Sequence, residues 1–120
     1  MMESGKGSDL RERAFEFAVR VLEVHRFVYK REPSLRSTSA QAASAAGSVG
    51  ANLEEADAGQ SRADFISKCN IALKEARESR YWLRVLARFI GPERLTPLIA
   101  ESTELIAILT TIVRRSRTRT

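Results

Sequence analysis

From Phe65 to Ile90 the apolar and small residues return in steps of four and three without a slip, at Phe65, Cys69, Ala72, Ala76, Ser79, Leu83, Leu86 and Ile90. That alternation is the seam of a long helix packed in a bundle. Strand side chains repeat every two residues and cannot carry it. On the same helix Arg77, Arg80, Arg84 and Arg88 are spaced three, four and four, so they form one row. A single helix therefore presents a packing face and a cationic face.

The rest of the chain supplies three further helices. The first is expected from an N-cap at Asp9 to about Arg31, with Leu10, Ala14, Phe17, Val21, Val24 and Val28 as its seam. A second stripe lies beside it: Phe15, Ala18, Leu22, His25 and Tyr29, widened by Val19 and Phe27. Such an arc is broader than one core needs, so either a partner chain covers the excess or neighbouring helices wrap far round. His25 within it is expected to be a core or interface histidine with a hydrogen-bond partner. Pro33 ends this helix. The second helix is expected from Ser39 to Ala58, with Ala42, Ala46, Val49, Leu53 and Ala56 as seam and Gly59 as a stop. Its first half is nearly all small. Gly47 and Gly50 inside it cost about 1 kcal/mol each against alanine, so a close helix approach or a functional contact should offset them. Ser61 caps the third helix, with Asp64 completing a capping pattern. Gly91-Pro92 ends it, and Thr96-Pro97 is expected to open the fourth, with Leu98, Ser102, Leu105, Leu109 and Ile112 as seam. The organisation expected is a disordered N-terminus at 1–8, one all-α, up-down-up-down four-helix-bundle domain at 9–113, and a basic tail at 114–120.

The 120 residues suffice for one core without staples. The net charge of +5 is unevenly placed: residues 1–60 hold eight Lys/Arg against nine Asp/Glu, and residues 61–120 hold twelve against six. A basic half suits an anionic partner such as RNA, or a solvated surface. The lone cysteine, Cys69, excludes an intramolecular disulfide and sits on a seam as an apolar filler. Polar residues at Met1–Ser8 argue against a signal peptide, and Glu101 and Glu104 break the apolar stretch Leu98–Val113. A soluble, cytoplasmic protein is expected, with no membrane partner.

No catalytic constellation is apparent. Glu54 and Glu55 point about 100° apart on a helix. Glu75 and Glu78 share a face but lack the histidine of a di-metal Glu-x-x-His site, so neither a metal nor another cofactor is expected. No small-molecule substrate is evident. Asn52, Glu55, Glu75, Glu78, Tyr81 and Trp82 are candidates for a polar network or interface that sets register between helices or subunits. The alternative is a set of surface ion pairs such as Lys74–Glu78. The candidate nucleic-acid surface is Arg77, Arg80, Arg84 and Arg88, helped by Lys68, Lys74 and the arginine tail. No aromatic is interleaved with that row as in known base-reading modules.

The central stretch resembles a bacterial family, the four-helix-bundle proteins related to those encoded in intervening sequences of 23S ribosomal RNA genes. Gln41, Ala45, Ser48, Asn52 and Glu55 stand at its helix-two pattern. Ser61, Asp64, Phe65 and Ile66 stand at the start of its helix three. Ile71 to Glu78, with Tyr81-Trp82-Leu83, is similar to its helix-three signature. The resemblance implies a left-handed bundle, a ring-like homopentamer and no enzymatic activity. A related group, the accessory proteins of diversity-generating retroelements, implies a basic barrel that binds nucleic acid and a reverse transcriptase. Ala43 and Ser44 depart from an arginine pair common in relatives, and Gly50 from a proline. The departure at the arginine pair moves any nucleic-acid contact to helix three. The function expected is a non-enzymatic homo-oligomer that binds RNA or a ribonucleoprotein through basic faces. The alternative is a protein-interaction scaffold without nucleic acid.

Overall fold

The computed structural model describes residues 4–59 and 61–118, and among them every regular element is helical. The helices are α1 (Ser4–Arg31), α2 (Arg36–Asp57), α3 (Arg62–Ala87) and α4 (Pro92–Thr118), with one 3-10 turn at Pro33–Leu35. Consecutive helices pack on each other, most extensively α2 on α3, while the α1–α4 seam is the loosest of the four. The molecule is elongated, 48 × 22 × 20 Å.

The seams expected for α1, α2 and α3 are buried throughout and form one core with Leu95, Leu98, Leu105, Leu109 and Val113 of α4. Ser79 and Ser102 sit in that core without loss, because each hydroxyl donates to a carbonyl of its own helix, Glu75 O at 2.8 Å and Ile99 O at 2.7 Å. Ile112, expected on the α4 seam, is half-buried, and Val113 takes the buried position.

Helix starts differ from expectation. α1 is helical from Ser4, so residues 4–8 of the expected disordered segment belong to the helix; residues 1–3 lie outside the described residues. α2 begins at Arg36, because the turn Pro33–Leu35, closed by Leu35 N–H to Glu32 O at 2.8 Å, leads straight into it. α4 begins at Pro92. This proline rather than Pro97 occupies the first helical position, where no N–H is needed. Pro97 lies inside the helix on its exposed side, where water can satisfy the carbonyl one turn back. Residues 114–118 of the expected tail continue α4, and 119–120 lie outside the described residues. At 27 residues α4 is also longer than the apolar stretch suggested, enough by length and composition to cross a membrane. Its apolar seam is nonetheless used as bundle core.

The glycines divide. Gly50 meets Ala14 of α1, where an added Cβ would lie 3.6 Å from the alanine methyl, so α1 and α2 approach closely there. Gly47 has open space around it, and the close approach expected for it is absent within one chain. Gly59 ends α2 without a left-handed backbone; a Cβ there would lie 2.7 Å from the Asp64 carboxylate. The third helix starts as expected, with the Ser61 hydroxyl accepting from Asp64 N–H at 3.0 Å.

Candidate functional site

At about 100° per residue, Arg77, Arg80, Arg84 and Arg88 fall within an arc of about 80° and extend about 16 Å along α3. The row flanks the core on the α4 side: Arg80 Nη1 reaches Thr103 Oγ1 at 3.4 Å, and Arg77 and Arg114 line the same α3–α4 groove. Arg77, Arg84 and Arg88 are exposed, and among the described residues none has a carboxylate within ion-pair distance. Lys74 lies about 60° from Arg77, beside the row. Lys68 lies about 180° away, nine residues back, and does not join it.

Of the polar candidates, Glu75, Glu78 and Trp82 fall on the other flank of α3, Asn52 and Glu55 lie on the adjoining side of α2, and Tyr81 lies on the outward side of α3 beside the arginine row. Within the chain they bond locally. Asn52 Nδ2 donates to Ser48 O at 2.8 Å, and Trp82 Nε1 donates to Glu78 Oε2 at 3.3 Å. Tyr81 meets Trp82 edge-on, ring centres 5.0 Å apart, and is itself exposed. Glu55 is exposed. Among the described residues no hydrogen bond joins these α2 residues to these α3 residues.

Glu75 is half-buried, and burial raises its pKa; Glu78 adds to the rise and Lys74 opposes it. The folded state therefore favours the protonated acid. The stability tied to that proton is full below the ordinary glutamate pKa and is lost as pH rises through the raised value. Glu75→Gln in the isolated chain is expected to raise Tm by about a degree or two at neutral pH, with the gap closing in acid. Thermal melts across pH check it.

Ion pairs that the sequence reading missed tie α1 to its neighbours. Arg13 grips Glu101 of α4 with two hydrogen bonds, 2.7 and 3.0 Å, and reaches Glu104 at 3.4 Å. The bond to Glu101 raises the arginine pKa further, against the opposing effect of burial. Arg11 pairs with Asp57 of α2 at 3.0 Å. The two acids that interrupt the apolar α4 pattern were the available signal. His25 Nδ1 lies 2.6 Å from Ser39 Oγ of α2, so this histidine has a hydrogen-bond partner across the α1–α2 seam.

Arg11, Ala18, Leu22, His25 and Tyr29 share the α1 flank that meets α2. Beside them the second apolar stripe remains uncovered: Phe15 is 62% exposed, Leu22 50% and Tyr29 51%, with Val19 also exposed. The neighbouring surface of α2 is small and uncharged. Seventeen consecutive residues, Ser37 to Leu53, include no Asp, Glu, Lys or Arg. Ala40, Ser44, Gly47 and Ala51 form its exposed side. A ridge of large apolar side chains thus lies next to a trough of small ones.

Cys69 is fully buried, and burial pushes its thiol up to about 11. Its thiolate is nearly absent at neutral pH. A disulfide-exchange reagent at pH 8 is expected to leave the folded protein unlabelled and to label it fully in denaturant. Labelling of the folded protein would contradict the buried placement. Among the described residues no three His, Cys, Asp or Glu side chains gather as a metal site requires.

Comparison with known proteins agrees with this architecture. A crystal structure from Bacteroides thetaiotaomicron VPI-5482, of a protein of unknown function in the S23 ribosomal protein family, superposes with a TM-score of 0.81. The two chains are 40% identical, and the match covers 87% of this chain and 97% of that one. No curated protein matches the chain. Residues 6–111 match the family described as 23S rRNA-intervening sequence protein. With nearly the whole chain covered by that family and by a close structural relative, the protein belongs to the 23S rRNA-intervening sequence protein family.

Proposed function

We propose that this chain is a non-enzymatic, cytoplasmic protein that assembles with copies of itself and binds RNA, or an RNA–protein complex, through the cationic face of α3. The observation that carries the RNA reading is the row Arg77, Arg84 and Arg88, exposed and, among the described residues, without carboxylate partners. A guanidinium matches phosphate in a planar fork, and each phosphate neutralised releases counterions. Surface arginines that serve only solubility are commonly interleaved with acids, and this row is not.

Self-assembly is supported by the ridge and trough of α1 and α2. A contiguous apolar surface of this kind is rare on a protein that stays single. The ridge Phe15–Leu22–Tyr29 complements the shallow surface around Gly47, so one copy can supply the ridge and the next the trough. Contacts of that head-to-tail kind close into a ring when the rotation between neighbours divides a full turn. An up-down-up-down, left-handed bundle in a ring of five follows the family resemblance. The half-buried Glu75, Asn52 and Trp82 and the exposed Glu78 are then available for contacts between subunits.

The test is binding of structured and single-stranded RNA across a salt series. Affinity that falls steeply with salt supports the reading, and no binding even at low salt overturns it. In that event the exposed Tyr81 and Phe89, the latter 70% exposed, favour a protein-interaction scaffold.

A further inference from the structure

Between α3 and α4 lies an open groove of about 320 Å³, at the lower end of the range for small-ligand sites, about 300–1,000 Å³. Leu73 and Val113 form its floor, Arg77 and Arg114 stand on its walls, and Asn70 and Thr110 supply polar groups. Among the described residues no Asp or Glu lines it. Both floor residues are core residues just accessible from outside. Thr110 Oγ1 donates its proton to Ile106 O at 2.7 Å, which leaves its oxygen free to accept. Arg114 is exposed and has no carboxylate partner among the described residues. The groove therefore combines three cations, Arg77, Arg114 and Arg117, with an apolar floor and neutral hydrogen-bonding groups.

We propose that this groove seats one unpaired nucleotide of an RNA strand. Arg77 and Arg114 hold its phosphate, the base lies against Leu73 and Val113, and Asn70 and Thr110 face its polar edge or ribose hydroxyl. The inference rests on the RNA reading above and adds a preference to it. A base can reach the floor only when it is unstacked and unpaired, so single strands and loops are favoured over duplex. The apolar floor beside the arginines argues for a nucleotide over an acidic peptide, because a nucleotide carries a flat apolar face next to its phosphate.

The test uses the full chain with a short labelled RNA, single-stranded or annealed to its complement. The wild type is expected to bind the single strand about tenfold more tightly than the duplex. Arg114→Gln, and separately Thr110→Trp, which fills the groove, should each weaken single-strand binding about tenfold and change duplex binding little. Arg115→Gln removes the same charge one residue away, outside the groove lining, and should have little effect on either. Arg114→Gln alters only an exposed side chain, so it remains informative if the tryptophan variant fails to fold. If both groove variants bind the single strand like wild type while the α3 arginines still matter, the groove assignment is wrong and RNA binding stands. If Arg115→Gln acts as strongly as Arg114→Gln, the effect is diffuse charge and the groove assignment is also wrong. If wild type binds no RNA, both fall together.

Discussion

Replacing Phe15 and Leu22 together by glutamate should break the assembly into folded single chains. Both side chains are at least half exposed within one chain, so the substitutions remove little of its own core. Surface changes of that kind ordinarily alter stability by no more than about 0.5 kcal/mol. In an interface the balance reverses. Each glutamate would place an unpaired carboxylate in an apolar contact, a penalty of several kcal/mol per ion, and the burial of two large side chains would be lost. Because every interface of a closed ring is equivalent, the penalty recurs at each one. The association constant is expected to drop by more than about a thousandfold. Sedimentation velocity reads the result, and circular dichroism shows that the helices remain. An unchanged sedimentation coefficient would exclude the α1 ridge from the interface.

The second large effect is expected from changing Arg77, Arg80, Arg84 and Arg88 together to glutamine. Among the described residues none of the four makes an ion pair, and Arg80 loses only a 3.4 Å contact to Thr103. Folding should therefore survive. RNA affinity should not. Each phosphate contact contributes about 0.7 to 0.9 to the slope of log affinity against log salt. Removing four contacts should flatten that slope by roughly three for each row that engages the RNA, with affinity at low salt lower by about a hundredfold or more. Fluorescence anisotropy over a salt series measures both quantities. A variant whose slope and affinity match wild type would move the RNA off α3.

What the sequence revealed followed what is local. The four-three alternation of α3 marked all of its buried positions except Leu73, because helix geometry alone decides which residues share a face. The same holds for α1, where the excess apolar stripe was visible and is uncovered in the single chain. Readings that depended on helix starts were less secure. Thr96-Pro97 is a good start signal, but Gly91-Pro92 lies one turn earlier and offers the same signal. Ser39 is a good cap, yet it is buried as the hydrogen-bond partner of His25. Gly47 was expected to serve a close helix approach or a functional contact, and it has open space around it within one chain, so the close approach is not made there.

Contacts between helices were the least legible. Arg13 and Glu101 are 88 positions apart, and only the relative register of α1 and α4 brings them together. The α3–α4 groove has the same origin, since Arg77 and Arg114 belong to different helices. Lys68 was grouped with the arginine row by charge, although helical phase places it on the opposite flank. Apart from Tyr81, the polar candidates of α2 and α3 share a side of the molecule but make their hydrogen bonds within their own helices.

The most direct measurement is native mass spectrometry of the wild-type protein at low micromolar concentration. The account predicts one dominant species of five chains, each of 13.4 kDa, which the Phe15 and Leu22 substitutions convert to single chains. A wild-type protein found only as single chains at that concentration would contradict it, and the apolar ridge on α1 would then need another occupant.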